Sequence, residues 1–262
     1  MTLGIELCYD GAAYHGWQTQ KNAVTVQETL SRAIARATGA PPLPELAGCG
    51  RTDAGVSAVS YVASFRTEMR IPPERFPMAI HAFLPDDISV RKAAVVPNGF
   101  HARFSCIKKE YVYRLYHSFL PIPFERSRAA FRPYPLDIQK MRDAAKLIEG
   151  THDFSAFCAS GSAVRSPVRT VHYCTVSGSG EAAEIRICAD GFLYNMVRII
   201  AGTLVSVSEG KLSAGDVSGL LSSGDRTRAG ITLPACGLRL ERVWYGDEPG
   251  LDGIDRNARL FF

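Results

Sequence analysis

Arg51 and Asp53 lie in a short glycine-rich segment where their side chains could act together. Residues 48–55 read GCGRTDAG, with three glycines in eight residues. Glycine frees the backbone for tight turns and close approaches, so the segment can present a guanidinium beside a carboxylate. The positive charge would keep the carboxylate ionised in a dry pocket, which makes the pair a candidate site. A structural turn with an Asx-type hydrogen bond is the alternative, and the residues alone leave both interpretations open.

Tyr111 and Arg198 are further candidates, each with a structural alternative. Tyr111 and Tyr113 alternate with other residues in a strand-like pattern, so one of the tyrosines could simply pack in the core. Arg198 interrupts an apolar, helix-like stretch, where a surface or structural ion pair would explain it. If the guanidinium is buried it needs a carboxylate partner, and Asp53 could be that partner.

The elements that must position these residues alternate between strand and helix patterns. In the first hundred residues the pattern predicts strands at 3–9 and 59–65. It also predicts two helices. The first begins at a capping box formed by Thr25 and Glu28 and ends at Gly39 and Pro41, and the second runs from 72 to 84. In the second half the pattern predicts a strand at 110–116 and a hairpin of strands 168–177 and 181–189 around the turn 178–180. It also predicts a helix that begins at Asp137 with Gly150 as its C-cap, and a helix from 193 to 209 that Gly210 ends.

This order of elements predicts an α+β protein with antiparallel sheets and helices on one face. A chain of 262 residues is long enough for two halves that each have their own core. We expect two related halves, each like a ferredoxin-type unit, with a cleft between them. The prolines at 133 and 135 suggest the boundary. The N-terminal half, 1–132, would carry Asp53 and Tyr111, and the C-terminal half, 133–262, would complete the cleft.

Composition and missing motifs narrow the chemistry. Hydrophobic residues make up 46% of the chain and charged residues 21%, as in an ordinary globular enzyme, and the net charge of +4 permits a polyanionic partner. We find no P-loop, no G-x-G-x-x-G turn and no clustered metal ligands, so neither a cofactor nor a metal is expected. The seven cysteines lie at least fourteen residues apart, which predicts reduced thiols. Neither a membrane span nor a secretory signal is predicted, so we expect a cytoplasmic protein.

Seven segments, in this order, resemble the TruA family of tRNA pseudouridine synthases. They are YDGAAYHGWQTQ, GCGRTDAGVSAVSYVASF, FLPDDISV, FHARFSCIKKEYVYRLY, RSPVRTV, FLYNMVRIIAGTL and LPACGLRLERVWY. The resemblance covers nearly the whole chain and implies the pseudouridine synthase fold. It also implies an intramolecular transferase that isomerises uridine to pseudouridine in the anticodon arm of tRNA, at positions 38, 39 and/or 40. A homodimer that needs no cofactor is expected.

The resemblance also implies roles for the candidate residues. Asp53 is the expected catalytic nucleophile, Arg51 and Arg198 are expected to support it, and Tyr111 is expected to stack on the target base. Basic side chains that could contact tRNA phosphates are available along the chain at Arg103, Lys108, Lys109, Arg126, Arg128, Arg132, Arg165 and Arg169.

The chain departs from the family pattern at two positions. Ser57 stands where the motif usually has histidine, and His81-Ala82-Phe83 stands where the family tends to have asparagine. Both departures put only secondary contacts in question. Two other functions compete with the resemblance: a non-catalytic RNA-binding protein with two RRM-like halves, and a thiol hydrolase that uses Cys49 with His152 or His172.

Overall fold

The computed structural model describes residues 1–39, 46–161 and 165–254. Helices and strands are mixed along the chain, which confirms the predicted α+β class. The strands are β1 Thr2–Tyr9, β2 Ala47–Gly48, β3 Ser57–Arg66, β4 Ile88–Val96, β5 Lys108–His117, β6 Ala130–Arg132, β7 Gly150–Asp153, β8 Val168–Ser179, β9 Ala182–Ala189 and β10 Leu238–Trp244. The helices are α1 Val26–Thr38, α2 Phe76–His81, α3 Ile138–Lys146, α4 Met196–Ser208 and α5 Ala214–Ser223.

The first compact unit consists of Met1–Lys108 and the segment that begins at Leu240. Its strands lie in the order β4-β1-β3-β10, and β2 pairs with β3. β1 is antiparallel to both β3 and β4. Leu3, Ile5 and Leu7 of β1 are completely buried, so alternate positions of this central strand build the core.

Helix α1 begins and ends where the sequence predicts. The Thr25 hydroxyl accepts a hydrogen bond from the Glu28 N–H at 3.4 Å, which satisfies one of the free donors of the first turn. Gly39 ends the helix in the left-handed conformation, with φ 66°. Leu30 and Ile34 are buried, so an apolar stripe faces the core. Pro41, predicted to help end this helix, lies outside the described residues.

The second compact unit is Lys109–Arg239, with strands in the order β5-β9-β8-β7. The β8–β9 pairing confirms the predicted hairpin, and Ser179 lies opposite Ala182, so the turn between them has two residues. All of these neighbouring strands are antiparallel. The short β6 pairs with β5 in parallel.

Three helices differ from the prediction. The helix predicted from 72 to 84 is a 3₁₀ turn, Pro73–Arg75, followed by α2 at Phe76–His81. Helix α3 begins after its cap Asp137, as predicted, but its C-cap is Leu147. The predicted cap Gly150 is therefore wrong: this residue begins β7, and its φ of 107° favours glycine for a different reason. Helix α4 begins at Met196, later than predicted, because Asn195 has φ 60° and cannot belong to a right-handed helix.

The bounds of the compact units differ from the predicted halves. The predicted boundary at 130–135 contains β6, whose Ala130 pairs with Leu115 of β5. The chain also returns to the first unit at Leu240, and Tyr111 falls in the second unit. The functional division at residues 132 and 133 stays a prediction.

Candidate functional site

Asp53 lies on a tight turn between β2 and β3 in the first unit. Its carbonyl accepts the Val56 N–H at 3.1 Å, and Gly55, inside that turn, has φ 81°. Glycine tolerates this left-handed conformation at no steric cost. Asp53 is half-buried, while Arg51 is exposed. The loop therefore holds the carboxylate close to the protein surface and presents the guanidinium to solvent.

A second segment, residues 11–17, fixes this turn through main-chain contacts. The Trp17 N–H donates to the Thr52 carbonyl at 3.1 Å, and the Gly55 N–H donates to the Tyr14 carbonyl at 3.1 Å. Gly16 has φ 85°, and a Cβ there would lie 2.3 Å from the Thr52 carbonyl oxygen. Only glycine fits this approach, so residues 11–17 position the Asp53 loop.

Buried aromatic rings lie under the loop. Trp17 stacks on Tyr61 with ring centroids 4.1 Å apart, and both rings are almost completely buried. The Tyr61 hydroxyl donates to the Gly50 carbonyl, and the hydroxyls of Tyr9 and Thr52 lie 2.8 Å apart. These contacts satisfy polar groups of the loop inside the core, which limits how far the loop can move.

Two further contacts tie predicted motifs to the loop region. The Ser57 hydroxyl accepts the Gly11 N–H at 3.0 Å, so the serine at this departure from the family pattern links the loop to residues 11–17. The Tyr14 hydroxyl donates to Asp87 at 2.5 Å. Burial, with added effects from that carboxylate, raises the pKa of Tyr14 well above its ordinary value, so this hydroxyl stays protonated and donates.

Tyr111 lies on β5 in the second unit, opposite Ile187 of β9. It is 8% exposed, and its ring meets Phe192 edge to face at a centroid distance of 5.0 Å. Phe192 belongs to the connection between β9 and α4 and is half-buried. The contact packs this connection against β5.

Tyr113, two residues further along β5, has a structural role. It is completely buried, and its hydroxyl donates to the Pro234 carbonyl at 2.7 Å. Burial raises the pKa of Tyr113 well above its ordinary value. A Cβ at Gly237 would lie 2.7 Å from this ring, so the segment around it packs tightly on the tyrosine. Both alternating tyrosines are buried, Tyr113 completely and Tyr111 with 8% exposure, so the core alternative applies to Tyr111 as well.

Arg198 lies on α4, half-buried, with its side chain directed to main-chain and side-chain oxygens. Its Nε donates to the Leu233 carbonyl at 2.7 Å, and its Nη1 donates to Asn195 Oδ1 at 2.7 Å. A Cβ at Gly202, one turn further along the helix, would lie 1.9 Å from the Ile231 carbonyl oxygen. Residues 230–234 thus run against α4, and the guanidinium is oriented by both.

Sequence reasoning missed the supporting roles of residues 11–17 and 230–234. The signal for the first was available, since two glycines and a tryptophan occur close together in YDGAAYHGWQ. The contact of residues 230–234 with α4 depends on glycines at 202 and 230, which are far apart in sequence. No local sequence pattern predicts that two glycines so far apart in the chain pack against each other.

The basic residues predicted for phosphate contacts fall into different environments. Arg103, Arg126, Arg128 and Arg165 are exposed, as a contact with a phosphate requires. Arg132 is half-buried and forms an ion pair with Glu209. This pairing gives Arg132 a structural function within the second unit.

The described residues give little support to a thiol or metal site. Cys49 is completely buried, which is unfavourable for a nucleophile that must reach a substrate. His152, its suggested partner, has Nε2 at 2.8 Å from the Glu149 carbonyl. Within the ranges 1–39, 46–161 and 165–254 there is no group of three or more potential metal ligands. Across those same ranges, none of the helices has the length and apolar character needed to cross a membrane.

Known proteins match this chain over most of its length. A family described as tRNA pseudouridine synthase matches residues 8–105 and 144–246. The tRNA pseudouridine synthase A of Thermoanaerobacter sp. (strain X514) is 48% identical over 237 residues, which cover 90% of this chain and 96% of that protein. The tRNA pseudouridine synthase A of Bacillus subtilis (strain 168) is 44% identical over 245 residues, which cover 94% and 99%. The matched residues include Asp53 and Arg198, and the chain belongs to the tRNA pseudouridine synthase family.

Proposed function

We propose that this enzyme isomerises uridine to pseudouridine in the anticodon stem-loop of tRNA, at positions 38, 39 and/or 40, with Asp53 as the catalytic nucleophile. The observation that carries the proposal is the half-buried carboxylate on a turn fixed by main-chain bonds to residues 11–17. Both segments fall inside the first stretch that matches the family. A fixed carboxylate, shielded in part from water, is suited to covalent catalysis.

The reaction needs few protein groups. It breaks the bond between N1 and C1′ of the uridine, turns the base, and forms a bond between C5 and C1′. The C5 proton leaves and N1 gains a proton, so no electrons are exchanged overall. Asp53 can trap C1′ as an ester, or it can remove a sugar proton to give a glycal-like intermediate. Both routes use the same carboxylate.

Tyr111 has two roles in this proposal. Its ring stacks on the target base, and its hydroxyl, or a water that it holds, accepts the proton that leaves C5. The edge-to-face contact with Phe192 supports this assignment because it orients a tyrosine that is nearly buried. Tyr111 itself lies between the two stretches that match the family.

Arg198 and Arg51 support the reaction through their charge. The Arg198 guanidinium, oriented by Leu233 and Asn195, favours the ionised form of a catalytic carboxylate. Arg51 is exposed, so a phosphate of the RNA next to the target uridine is its proposed partner.

The target uridine must leave its stack to react, which costs a few kcal/mol that stacking and phosphate contacts offset. Exposed arginines such as Arg126 and Arg128 are suited to the phosphate contacts. We also propose a homodimer that works in the cytoplasm, as the resemblance implies. Sedimentation of the purified protein tests the dimer.

Tritium release tests the reaction, the substrate and the position together. Purified protein is incubated with tRNA that carries tritium at uridine C5, and the modified positions are then mapped. We expect release of tritium and pseudouridine at one or more of positions 38, 39 and 40. Binding of the tRNA without release would instead favour the non-catalytic RNA-binding alternative.

Chelation tests the expected independence from metals. Because no step exchanges electrons or needs a Lewis acid, turnover should survive exhaustive treatment with a chelator followed by dialysis. The tRNA is refolded separately, so that magnesium needed for its own fold is not mistaken for a requirement of the enzyme. A requirement for added zinc would contradict the expectation.

A further inference from the structure

Residues 101–105 of the first unit, His-Ala-Arg-Phe-Ser, form a rigid turn that the proposed chemistry does not use. The Ser105 N–H donates to the His101 carbonyl at 2.9 Å, and the His101 N–H donates to the Ser105 hydroxyl at 3.1 Å. His101 Nδ1 accepts the N–H groups of Arg103 and Phe104, at 3.1 and 3.4 Å. Four hydrogen bonds in five residues leave this backbone little freedom.

Two side chains distant in sequence anchor the turn at Ala102, which is completely buried. The Ala102 N–H donates to the Ser64 hydroxyl at 3.1 Å, and the Ala102 carbonyl accepts the Tyr245 hydroxyl at 2.6 Å. The main-chain N–H and the carbonyl of Ala102 are thus both bonded to side chains in the core of the first unit. These bonds hold the backbone on which Arg103 and Phe104 follow, and both of these residues are exposed.

The exposed part of the turn is an aromatic ring with a cation beside it. Phe104 is 70% exposed, on a segment whose backbone is fixed by hydrogen bonds. The Arg103 guanidinium lies 5.6 Å from the centre of its ring, and the His101 ring lies 4.4 Å away. Lys108, four residues on, places its ammonium 5.0 Å from the Trp244 ring. Two cation–aromatic pairs thus lie close together in the sequence, and the Arg103–Phe104 pair is the exposed one.

We propose that Phe104 and Arg103 form a stacking site for an unpaired base of the tRNA. A base needs an exposed aromatic face held in place, and its phosphate needs a nearby cation; the turn supplies both. The charge of Arg103 favours a polyanion over a neutral protein surface. The inference rests on the proposed function, and it adds a contact that contributes to tRNA affinity while Asp53 contributes to the chemical step.

Binding and single-turnover measurements on Phe104 variants test this site. Phe104→Ala and Phe104→Leu both remove the aromatic face, and the leucine keeps an apolar side chain. Phe104→Trp keeps a stacking ring. Phe119→Ala is the matched control, since Phe119 is a phenylalanine of the second unit that is 92% exposed. The Kd for unmodified tRNA and the rate at saturating enzyme are measured for each variant, and thermal unfolding verifies the fold.

We expect the Kd to rise roughly 5-fold to 150-fold for Phe104→Ala and Phe104→Leu, the range of one lost base–aromatic stack. Phe104→Trp and Phe119→Ala should bind like the parent, and the saturated rate should be unchanged in all four variants. An unchanged Kd in Phe104→Ala, an equal loss in Phe119→Ala, or full affinity in Phe104→Leu would overturn the stacking site. Absence of tritium release from the parent enzyme would instead contradict the proposed function, so the two failures are distinguishable.

Discussion

The Asp53 loop of the first unit is held by main-chain bonds to residues 11–17, to which the hydroxyls of Tyr9, Tyr61 and Ser57 add further bonds. Main-chain bonds join Thr52 and Gly55 to residues 11–17, and the close approach of Gly16 excludes any side chain at that position. These bonds do not involve the side chain of Asp53 or of Arg51, so replacing either residue leaves the main-chain bonds of the loop in place.

The Tyr111 and Arg198 region of the second unit is held by side chains instead. Arg198 donates to the Leu233 carbonyl, and Tyr113 donates to the carbonyl of the next residue, Pro234. Here a proposed functional residue, Arg198, is also part of the support. The comparison predicts that chemistry and stability can be separated by mutation in the first unit, and that they are coupled at Arg198 in the second.

Tyr111→Phe tests the proposed functional role of Tyr111 in the second unit. Its expected loss of rate is the largest among Tyr111→Phe, Gly16→Ala and Arg198→Lys. The ring is kept and the hydroxyl is lost. If the hydroxyl organises removal of the C5 proton, the single-turnover rate should fall roughly 10²-fold or more, with unchanged tRNA affinity.

Tyr113→Phe is the control on the same strand. It loses one hydrogen bond to Pro234, so we expect about 0.5–1.5 kcal/mol lower stability with little change in rate. A Tyr111→Phe enzyme as fast as the parent would refute the role in proton transfer. An equally fast Tyr111→Ala enzyme would remove Tyr111 from the site.

Gly16→Ala tests whether backbone contacts position the Asp53 loop. The new Cβ would lie 2.3 Å from the Thr52 carbonyl oxygen, so the loop must shift. A shift of about 1 Å at a catalytic group costs roughly 10²-fold in rate, which is the expected loss.

Gly39→Ala provides the matched control for this glycine. Gly39 also has a positive φ, 66°, but a Cβ there meets no atom within 4 Å. It should cost about 1–2 kcal/mol of stability from backbone strain and leave the rate unchanged. Equal rate losses in the two variants would show that strain, not the contact with Thr52, is responsible.

Arg198→Lys tests the coupling of support and chemistry, with the smallest effect on rate. Lysine keeps the charge but cannot reproduce the two donors directed at Leu233 and Asn195. We expect about a tenfold lower rate together with a loss of about 1.5–3 kcal/mol in the free energy of unfolding.

Arg142→Lys is the control, because Arg142 also donates from Nε to a main-chain carbonyl, that of Val176, at 2.9 Å. It should lose stability at an unchanged rate. If Arg198→Lys also loses stability alone, its role is structural and the proposed support of the reaction is wrong.

Local patterns predicted the elements around the site better than the connections between them. The capping signal at Thr25 and the alternating strand that carries Tyr111 were sufficient, because both depend on neighbours in sequence. Strand β10 was not predicted, and β6 lies in the stretch that was predicted as the boundary between the halves. A three-residue strand with two nearby prolines gives no periodic signal, and its pairing with β5 is a tertiary effect.

The site was predicted by its residue types, and its support was not. Glycines around Arg51 and Asp53 marked a loop, but the contact of Gly16 with Thr52 joins residues that are distant in sequence. The same holds for Arg198, because its bond to the Leu233 carbonyl was not predicted. Its pairing with the Asp53 carboxylate stays a prediction. Every residue has a main-chain carbonyl, so the sequence does not indicate which of them accepts a given hydrogen bond, and only the structure identifies it.

Asp53→Asn, measured by tritium release under single-turnover conditions, tests the central proposal most directly. The amide keeps the shape of the side chain but can act neither as a nucleophile nor as a base. Asp53→Ala is measured beside it, so that deamidation of the asparagine cannot be mistaken for activity. Because the backbone holds the loop, both variants should fold and bind tRNA like the parent and release no tritium. Release from both variants at a rate near that of the parent would contradict the assignment of Asp53 as the catalytic residue.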